Sequence, residues 1–162
     1  MKTEDEEFVS FAQDASPRLL RAAWLICGDA QLAEDLVQSA LAKVYERWGR
    51  MRDGSPAAYA RRCILNEHID TTRRRRGERL TSVPPDRGRS DPPTQDTAWL
   101  MAALKTLPDR ERQVVVLRHY SDLPESEVAD LLGISVGTVK SSASRGLAKL
   151  RAALTEGDSH VR

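Results

Sequence analysis

Aromatic residues are scarce in this sequence, in which phenylalanine, tryptophan and tyrosine together make up 5% of 162 residues. A core with few aromatic rings is aliphatic, and this favours helical packing. No apolar run approaches the roughly 20 residues that a membrane-spanning helix needs, so we expect no membrane insertion. The acidic N-terminal segment lacks the basic and apolar regions of a secretory signal. We therefore expect a cytoplasmic protein.

Cysteine is also rare: Cys27 and Cys63 lie far apart, without a C-x-x-C pattern or a nearby histidine pair. This spacing argues against a zinc site, and we interpret both residues as buried, reduced thiols. The three histidines are scattered, and no Ser/His/Asp, Cys/His or phosphate-loop pattern accompanies them. We therefore predict no metal, no cofactor and no enzymatic activity.

Charge is nearly balanced overall, at a net +1, but its distribution is uneven. Residues 61–79 contain seven arginines against three acidic residues. Residues 133–151 carry Lys140, Arg145, Lys149 and Arg151 and no acidic residue. Two separated concentrations of positive charge indicate a polyanionic partner.

A proline-rich segment divides the chain. Residues 81–96 contain four prolines and almost no apolar side chain, so burial offsets little of the entropy lost on ordering. We predict an extended, flexible linker there. The predicted organisation is all-α, with one small helical domain over residues 1–80, the linker over 81–96 and a second helical domain over 97–162.

Apolar residues recur at helical spacing throughout the first half. The pattern predicts a helix over 8–27 that Pro17 interrupts or restarts, and a second helix over 30–48. A third helix is predicted to begin with Ser55 as N-cap and Pro56 at the first helical position, and to continue into the arginine block.

The second half is also predicted to be helical. A helix over 97–108 is expected to turn Trp99 towards the core, and Asp109 is expected to cap the helix that follows. Ser121 or Asp122 is expected to begin the next helix. Residues 123–154 then read as a helix, a three-residue turn and a second helix.

Ala129, Gly133 and Val139 have the spacing of a helix-turn-helix. This motif requires a small residue where the helices cross, a glycine in the turn and an apolar anchor in the second helix. Ser135 is placed to cap that second helix, whose N-terminus then faces the major groove. The outward residues suit base edges and phosphates: Gly137, Thr138, Lys140, Ser141, Ser144 and Arg145. The alternative is a helical hairpin with a solvated basic face.

Residues 107–151 resemble region 4 of the sigma-70 superfamily, and also the output domain of LuxR-type regulators. The first half separates the two, because residues 33–48 resemble the region 2 helix that grips the β′ clamp helices of RNA polymerase. Residues 58–76 resemble the adjoining helix that opens and reads the −10 element. Two such halves and a short linker resemble the extracytoplasmic-function (ECF) group, and residues 56–76 resemble its actinobacterial sigma-E branch.

The resemblance implies three functional surfaces and no cofactor. The implied polymerase-binding residues are Glu34, Asp35, Gln38 and Leu41. The implied −10 contacts are the loop 49–55 and Tyr59, Arg61, Arg62, Asn66, Asp70, Arg73, Arg74, Arg75 and Arg76. The implied −35 contacts are Ser135, Thr138, Lys140, Ser141, Ser144 and Arg145. The implied partners are core RNA polymerase, through its β′ clamp helices and a β-flap contact near 114–117, and promoter DNA. An anti-sigma factor is a further candidate partner.

Two departures from the family pattern concern promoter sequence. Ser142 and Ser144 stand where many members carry an arginine and a bulky residue, so we expect fewer direct base contacts. The −10 helix has no tryptophan at its start. The competing functions are a LuxR-type regulator and an enzyme. The first usually has an α/β domain ahead of its helix-turn-helix, and the all-helical first half opposes it.

Overall fold

The computed structural model describes residues 1–51, 54–78 and 95–159. Within these ranges the chain is helical and forms no strand, which confirms the predicted all-α class. The α-helices are α1 Glu4–Cys27, α2 Ala30–Glu46, α3 Pro56–Glu78, α4 Gln95–Lys105, α5 Asp109–Val115, α6 Glu125–Leu132 and α7 Val136–Ser159. A 3₁₀ turn spans Trp48–Arg50, and a π-helical turn over Val116–Tyr120 continues α5. None of the described helices is long and apolar enough to cross a membrane.

Contacts between Cα atoms group the chain into two compact units. The first comprises Met1–Ala23 and Gln31–Ser90, and the second comprises Trp24–Ala30 and Asp91–Arg162. The predicted linker lies outside the described residues, except that α4 already begins at Gln95. The proposed domain limits of 1–80 and 97–162 remain a prediction.

In the first unit α2 follows the predicted helical pattern: Ala33, Leu36, Val37, Ala40 and Val44 are buried, one or two per turn. Helix α3 buries Ala60, Cys63, Ile64, Leu65 and His68. Its start is as predicted, because the Ser55 hydroxyl accepts a hydrogen bond from the Ala58 amide at 3.2 Å, with Pro56 as the first helical residue. Helix α1 is continuous through Pro17, which is exposed, so the carbonyl left without a helical donor can bind water.

An aromatic cluster holds the end of α2 against α1. The ring centre of Phe8 lies 4.9 Å from that of Tyr45 in a tilted arrangement and 5.5 Å from that of Trp48 in an edge-to-face arrangement, and Phe11 lies 5.4 Å from Trp48. The Tyr45 hydroxyl donates a hydrogen bond to Asp5 at 2.8 Å, and this bond raises the pKa of Tyr45. The few aromatic rings of the first unit are therefore concentrated next to the 3₁₀ turn that leads to α3.

In the second unit α7 is the central element, and α4, α5 and α6 all pack against it. The α5–α7 crossing is close at Gly146. A Cβ atom built there would lie 2.7 Å from Cγ2 of Val115 and 3.4 Å from Cβ of Glu111. Glycine is required at this crossing because it leaves room for Val115.

Three local predictions for the second unit were wrong. Trp99 is 58% exposed, whereas Met101, Ala103 and Leu104 form the buried side of α4. Asp109 is the first residue of α5 and binds Arg112 at 2.8 Å, while Pro108 occupies the N-cap position.

Neither Ser121 nor Asp122 begins α6, which starts at Glu125 after Pro124. Asp122 instead has a φ of 56°, and the left-handed turn lets the Leu123 amide donate to the Leu117 carbonyl at 3.1 Å. Short polar residues such as aspartate tolerate this conformation better than most.

Candidate nucleic-acid interface

The turn between α6 and α7 has the geometry that its sequence predicts. Gly133 has a φ of 66°, and the amides of Gly133 and Ile134 both donate to the carbonyl of Ala129, the second at 3.1 Å. This pair of bonds ends α6 and requires a residue that tolerates the left-handed region. Val139 is fully buried and anchors α7 against α6. The Ala129–Gly133–Val139 spacing therefore produces a helix-turn-helix.

Ser135 caps α7. Its hydroxyl accepts a hydrogen bond from the Thr138 amide at 3.1 Å and lies 2.9 Å from the Thr138 hydroxyl. The amides of Val136 and Gly137 belong to the first turn and have no acceptor within the helix. Together with the positive end of the helix dipole, they form a surface suited to an anion such as a DNA phosphate.

The residues predicted to face DNA on α7 are all exposed: Ser135, Thr138, Lys140, Ser141, Ser144 and Arg145. Lys140 is the most open cation of this set, with 67% of its side chain exposed and the Glu125 carboxylate 3.9 Å away. Ser142 is buried, at 1% exposure, so it faces the interior of the unit and not the groove. Ser142 follows Val139 by three residues and therefore shares its inner face of the helix.

A buried carboxylate lies beneath the basic face of α7. Glu111 on α5 is 6% exposed, and its oxygens accept hydrogen bonds from Lys149 at 2.8 and 3.0 Å. The guanidinium of Arg145 binds the same carboxylate through Nε at 3.4 Å. Both cations remain half-exposed. One edge of the Arg145 guanidinium is therefore held by Glu111, which leaves its terminal nitrogens for another ligand.

The basic segment of the first unit lies on α3. Positions 59, 62, 66, 70 and 73 follow the spacing of a single helix face. Arg62, Asn66, Asp70 and Arg73 on that face are exposed, as are Arg74 and Arg76. Arg61 and Arg75 are half-buried and point away from it. Of the predicted −10 residues, the structure thus brings one polar stripe together and leaves Arg61 and Arg75 outside it.

Tyr59 is half-buried at the start of this stripe. The guanidinium carbon of Arg47 lies 5.2 Å from the centre of its ring, a cation–π contact that the sequence did not predict. Arg52 and Asp53, in the loop predicted to contact the −10 element, lie outside the described residues.

The third predicted surface lies on α2. Glu34, Asp35 and Gln38 are exposed, and Leu41 is half-buried beside them. The Gln31 side chain donates to Asp35 at 3.3 Å, which orients one carboxylate oxygen and leaves the other open. An exposed acidic and amide surface next to an apolar side chain suits a basic helical partner.

The β-flap contact predicted at 114–117 and nearby stays a prediction, but the four side chains at 114–117 do not form an exposed surface. Val114, Val115, Val116 and Leu117 are each at most 5% exposed and form part of the core of the second unit. The continuous apolar run gives no indication of which side faces outward, and in a small unit all four side chains are buried.

The structure agrees only in part with the interpretation of both cysteines as buried thiols. Both cysteines are free, but Cys63 is buried whereas Cys27 is half-buried. Burial raises the pKa of Cys27 to about 11, so it is a poor nucleophile. Among the described residues, no group of three or more His, Cys, Asp or Glu side chains could hold a metal ion.

Each half of the chain matches a known protein family. Residues 11–78 match sigma-70 region 2, and residues 97–150 match region 4 of sigma-70. Together they cover most of the chain. The chain belongs to the sigma-70 family. A region 2 half ahead of the helix-turn-helix does not favour the LuxR-type alternative.

Similar proteins support this assignment along the whole length. RNA polymerase sigma-E factor of Streptomyces coelicolor is 42% identical over 98% of this chain and 90% of its own. ECF RNA polymerase sigma factor SigE of Mycolicibacterium smegmatis is 32% identical over 83% of this chain and 56% of its own. These relatives confirm the predicted resemblance to ECF and sigma-E factors.

Two solved structures have a similar fold. The sigma factor RpoE from Bartonella quintana, in complex with the anti-sigma factor NepR, has a TM-score of 0.80 and 25% identity over 92% of this chain and 97% of that one. CnrH, in complex with the cytosolic domain of CnrY, has a TM-score of 0.65 and 25% identity over 92% of this chain and 88% of that one. As a sigma-70 family member, the protein binds core RNA polymerase and promoter DNA and directs transcription initiation.

Proposed function

We propose that this sigma factor divides its task among three surfaces. The first turns of α7 read the −35 element, the polar face of α3 contacts the −10 element, and the exposed face of α2 binds the β′ clamp helices. The observation that carries the proposal is the division of α7. Val139 and Ser142 face the interior. The outward face near the N-terminus of α7 carries the capping residue Ser135, uncharged polar side chains and cationic side chains.

On the α7 surface, Lys140 is proposed to reach base edges, because it lies in the second turn and its ammonium is largely exposed. Arg145 is proposed to bind a phosphate, since Glu111 fixes one edge of its guanidinium and orients the rest. Thr138, Ser141 and Ser144 have hydroxyls within the same face. Ser135 contributes through the cap and through the amides it leaves open.

For the −10 element we propose that Arg62, Asn66 and the exposed arginines of 73–76 follow the DNA backbone. We propose that an unstacked base displaces the Arg47 guanidinium from the face of the Tyr59 ring and stacks there in its place. Stacking on an aromatic ring contributes about 1–3 kcal/mol per base, which offsets part of the cost of strand opening.

On α2 we propose that Asp35, Glu34 and Gln38 bind basic side chains of the polymerase and that Leu41 adds apolar contact. A flap contact, if made by the second unit, uses surface residues next to the buried run 114–117. We further infer that the protein acts in the cytoplasm with the polymerase, as a binding protein and not as an enzyme.

An anti-sigma protein is also proposed as a partner, because the similar structure of RpoE was solved with the anti-sigma factor NepR. A genomic screen for proteins that co-purify with the tagged sigma factor and block its transcription in vitro tests this. A screen in which every co-purifying protein leaves transcription unchanged contradicts it.

The experiment for the three surfaces uses reconstituted holoenzyme. Asp35→Lys should abolish binding to core polymerase, and the control Asp14→Lys, an equal charge change on the exposed side of α1, should not. Lys140→Ala should bind core normally but change the choice of −35 element, by about 1–3 kcal/mol at one base pair. Arg151→Ala, an exposed cation three turns further along α7, is its control. If Lys140→Ala leaves promoter choice unchanged, α7 does not read this element.

A further inference from the structure

One apolar side chain interrupts the polar DNA-facing surface of α7. Val136 is the first residue of the helix and is 40% exposed. The other large apolar residues in the described part of α6, the turn and α7 are buried or half-buried. Its neighbours on the surface are the Ser135 hydroxyl, Gly137 and the Thr138 hydroxyl. Val136 is not among the buried side chains that form the core of the second unit.

The backbone around Val136 is open to a close approach. A Cβ atom built on Gly137 would meet nothing nearer than the Ser135 hydroxyl, at 3.8 Å. The capping bonds of Ser135 fix the direction of the first turn, so the Val136 side chain has a defined position. As a β-branched residue it also has little rotamer freedom to lose on binding.

In the major groove the apolar group on a base edge is the C5-methyl of thymine. The other edge groups are hydrogen-bond donors and acceptors, which a valine cannot satisfy. We propose that Val136 is a specificity-determining residue that packs against the methyl group of one thymine in the −35 element. The inference rests on the proposed function of α7 and adds one base preference to it.

The test is replacement of each thymine in the −35 element by deoxyuridine, one at a time. Uracil keeps every hydrogen-bonding group of thymine and lacks only the methyl. Wild-type holoenzyme should lose about fourfold in affinity at one position, the effect of leaving one methyl unburied. Val136→Ala holoenzyme should bind the thymine and uracil duplexes equally at that position. Arg151→Ala, an exposed position on α7 outside the proposed −35 contacts, should retain the wild-type preference.

Two results separate this inference from the proposal beneath it. If Val136→Ala keeps the thymine-to-uracil ratio of the wild type while Lys140→Ala changes promoter choice, α7 reads the element but Val136 does not read a methyl. If no deoxyuridine substitution weakens wild-type binding, the inference is also wrong. If base changes in the −35 element have no effect on any of these proteins, the proposed function of α7 fails first.

Discussion

The α5–α7 crossing gives a quantitative test of the fold beneath the DNA-facing helix. In Gly146→Ala the new Cβ would lie 2.7 Å from Cγ2 of Val115, whereas carbon atoms pack favourably at about 3.5–4.0 Å. Val115 is buried and β-branched, so it cannot rotate away without strain. Overpacking of this kind costs about 1–3 kcal/mol. The greater helix propensity of alanine returns up to about 1 kcal/mol.

The net expectation for Gly146→Ala is a loss of about 1 kcal/mol in the free energy of unfolding, or about 4–8 °C in Tm for a unit of this size. The measurement is urea unfolding followed by circular dichroism. Gly137→Ala is the matched control, because its Cβ has open space at 3.8 Å and the variant should be no less stable than wild type. Adding Val115→Ala should relieve the clash. The double variant should therefore lose less unfolding free energy than the sum of the losses in the two single variants. Wild-type stability of Gly146→Ala, with additive behaviour in the double variant, would refute the close crossing.

Gly133→Ala should destabilise the second unit by about 1 kcal/mol or more, because φ is 66° there, with urea unfolding as the measurement. Ser135→Ala should cost about 1 kcal/mol through the lost cap, and Ser135→Asp should restore most of it. Glu111→Gln should cost only about 1 kcal/mol, because Lys149 and Arg145 are half-exposed and regain water when released; a loss above about 3 kcal/mol would contradict this. Alkylation of Cys27 should be slow at pH 8 and should rise about tenfold per pH unit until the pH nears the pKa of about 11, whereas a rate that levels off near pH 10, as expected for the ordinary thiol pKa of 9.0, would contradict the raised pKa.

Features that depend on neighbouring residues could be predicted from the sequence. Gly133 ends α6 and Ser135 caps α7 as predicted, because both effects arise within one turn of backbone. The outward position of Lys140 follows from the helical period once Val139 is placed inside. The same reasoning correctly placed Ser55 and Pro56 at the start of α3.

Features that depend on contacts between helices could not be predicted. The bonds from Glu111 to Arg145 and Lys149 join residues 34 and 38 positions apart, and nothing in either segment identifies the pair. The exposure of Trp99 has a similar origin, since a short helix with apolar residues on several sides does not specify which side is covered.

The central claim is that α7 and α3 contact different promoter elements when the protein is bound to polymerase. The most direct measurement is photo-cross-linking from holoenzyme that carries a photoreactive residue in place of Ser141 or of Asn66, both of which are exposed. The promoter is one selected by run-off transcription on genomic fragments. We predict that position 141 cross-links to the −35 element and position 66 to the −10 element. Cross-links from both positions to the same element, or none from position 141, would contradict the account.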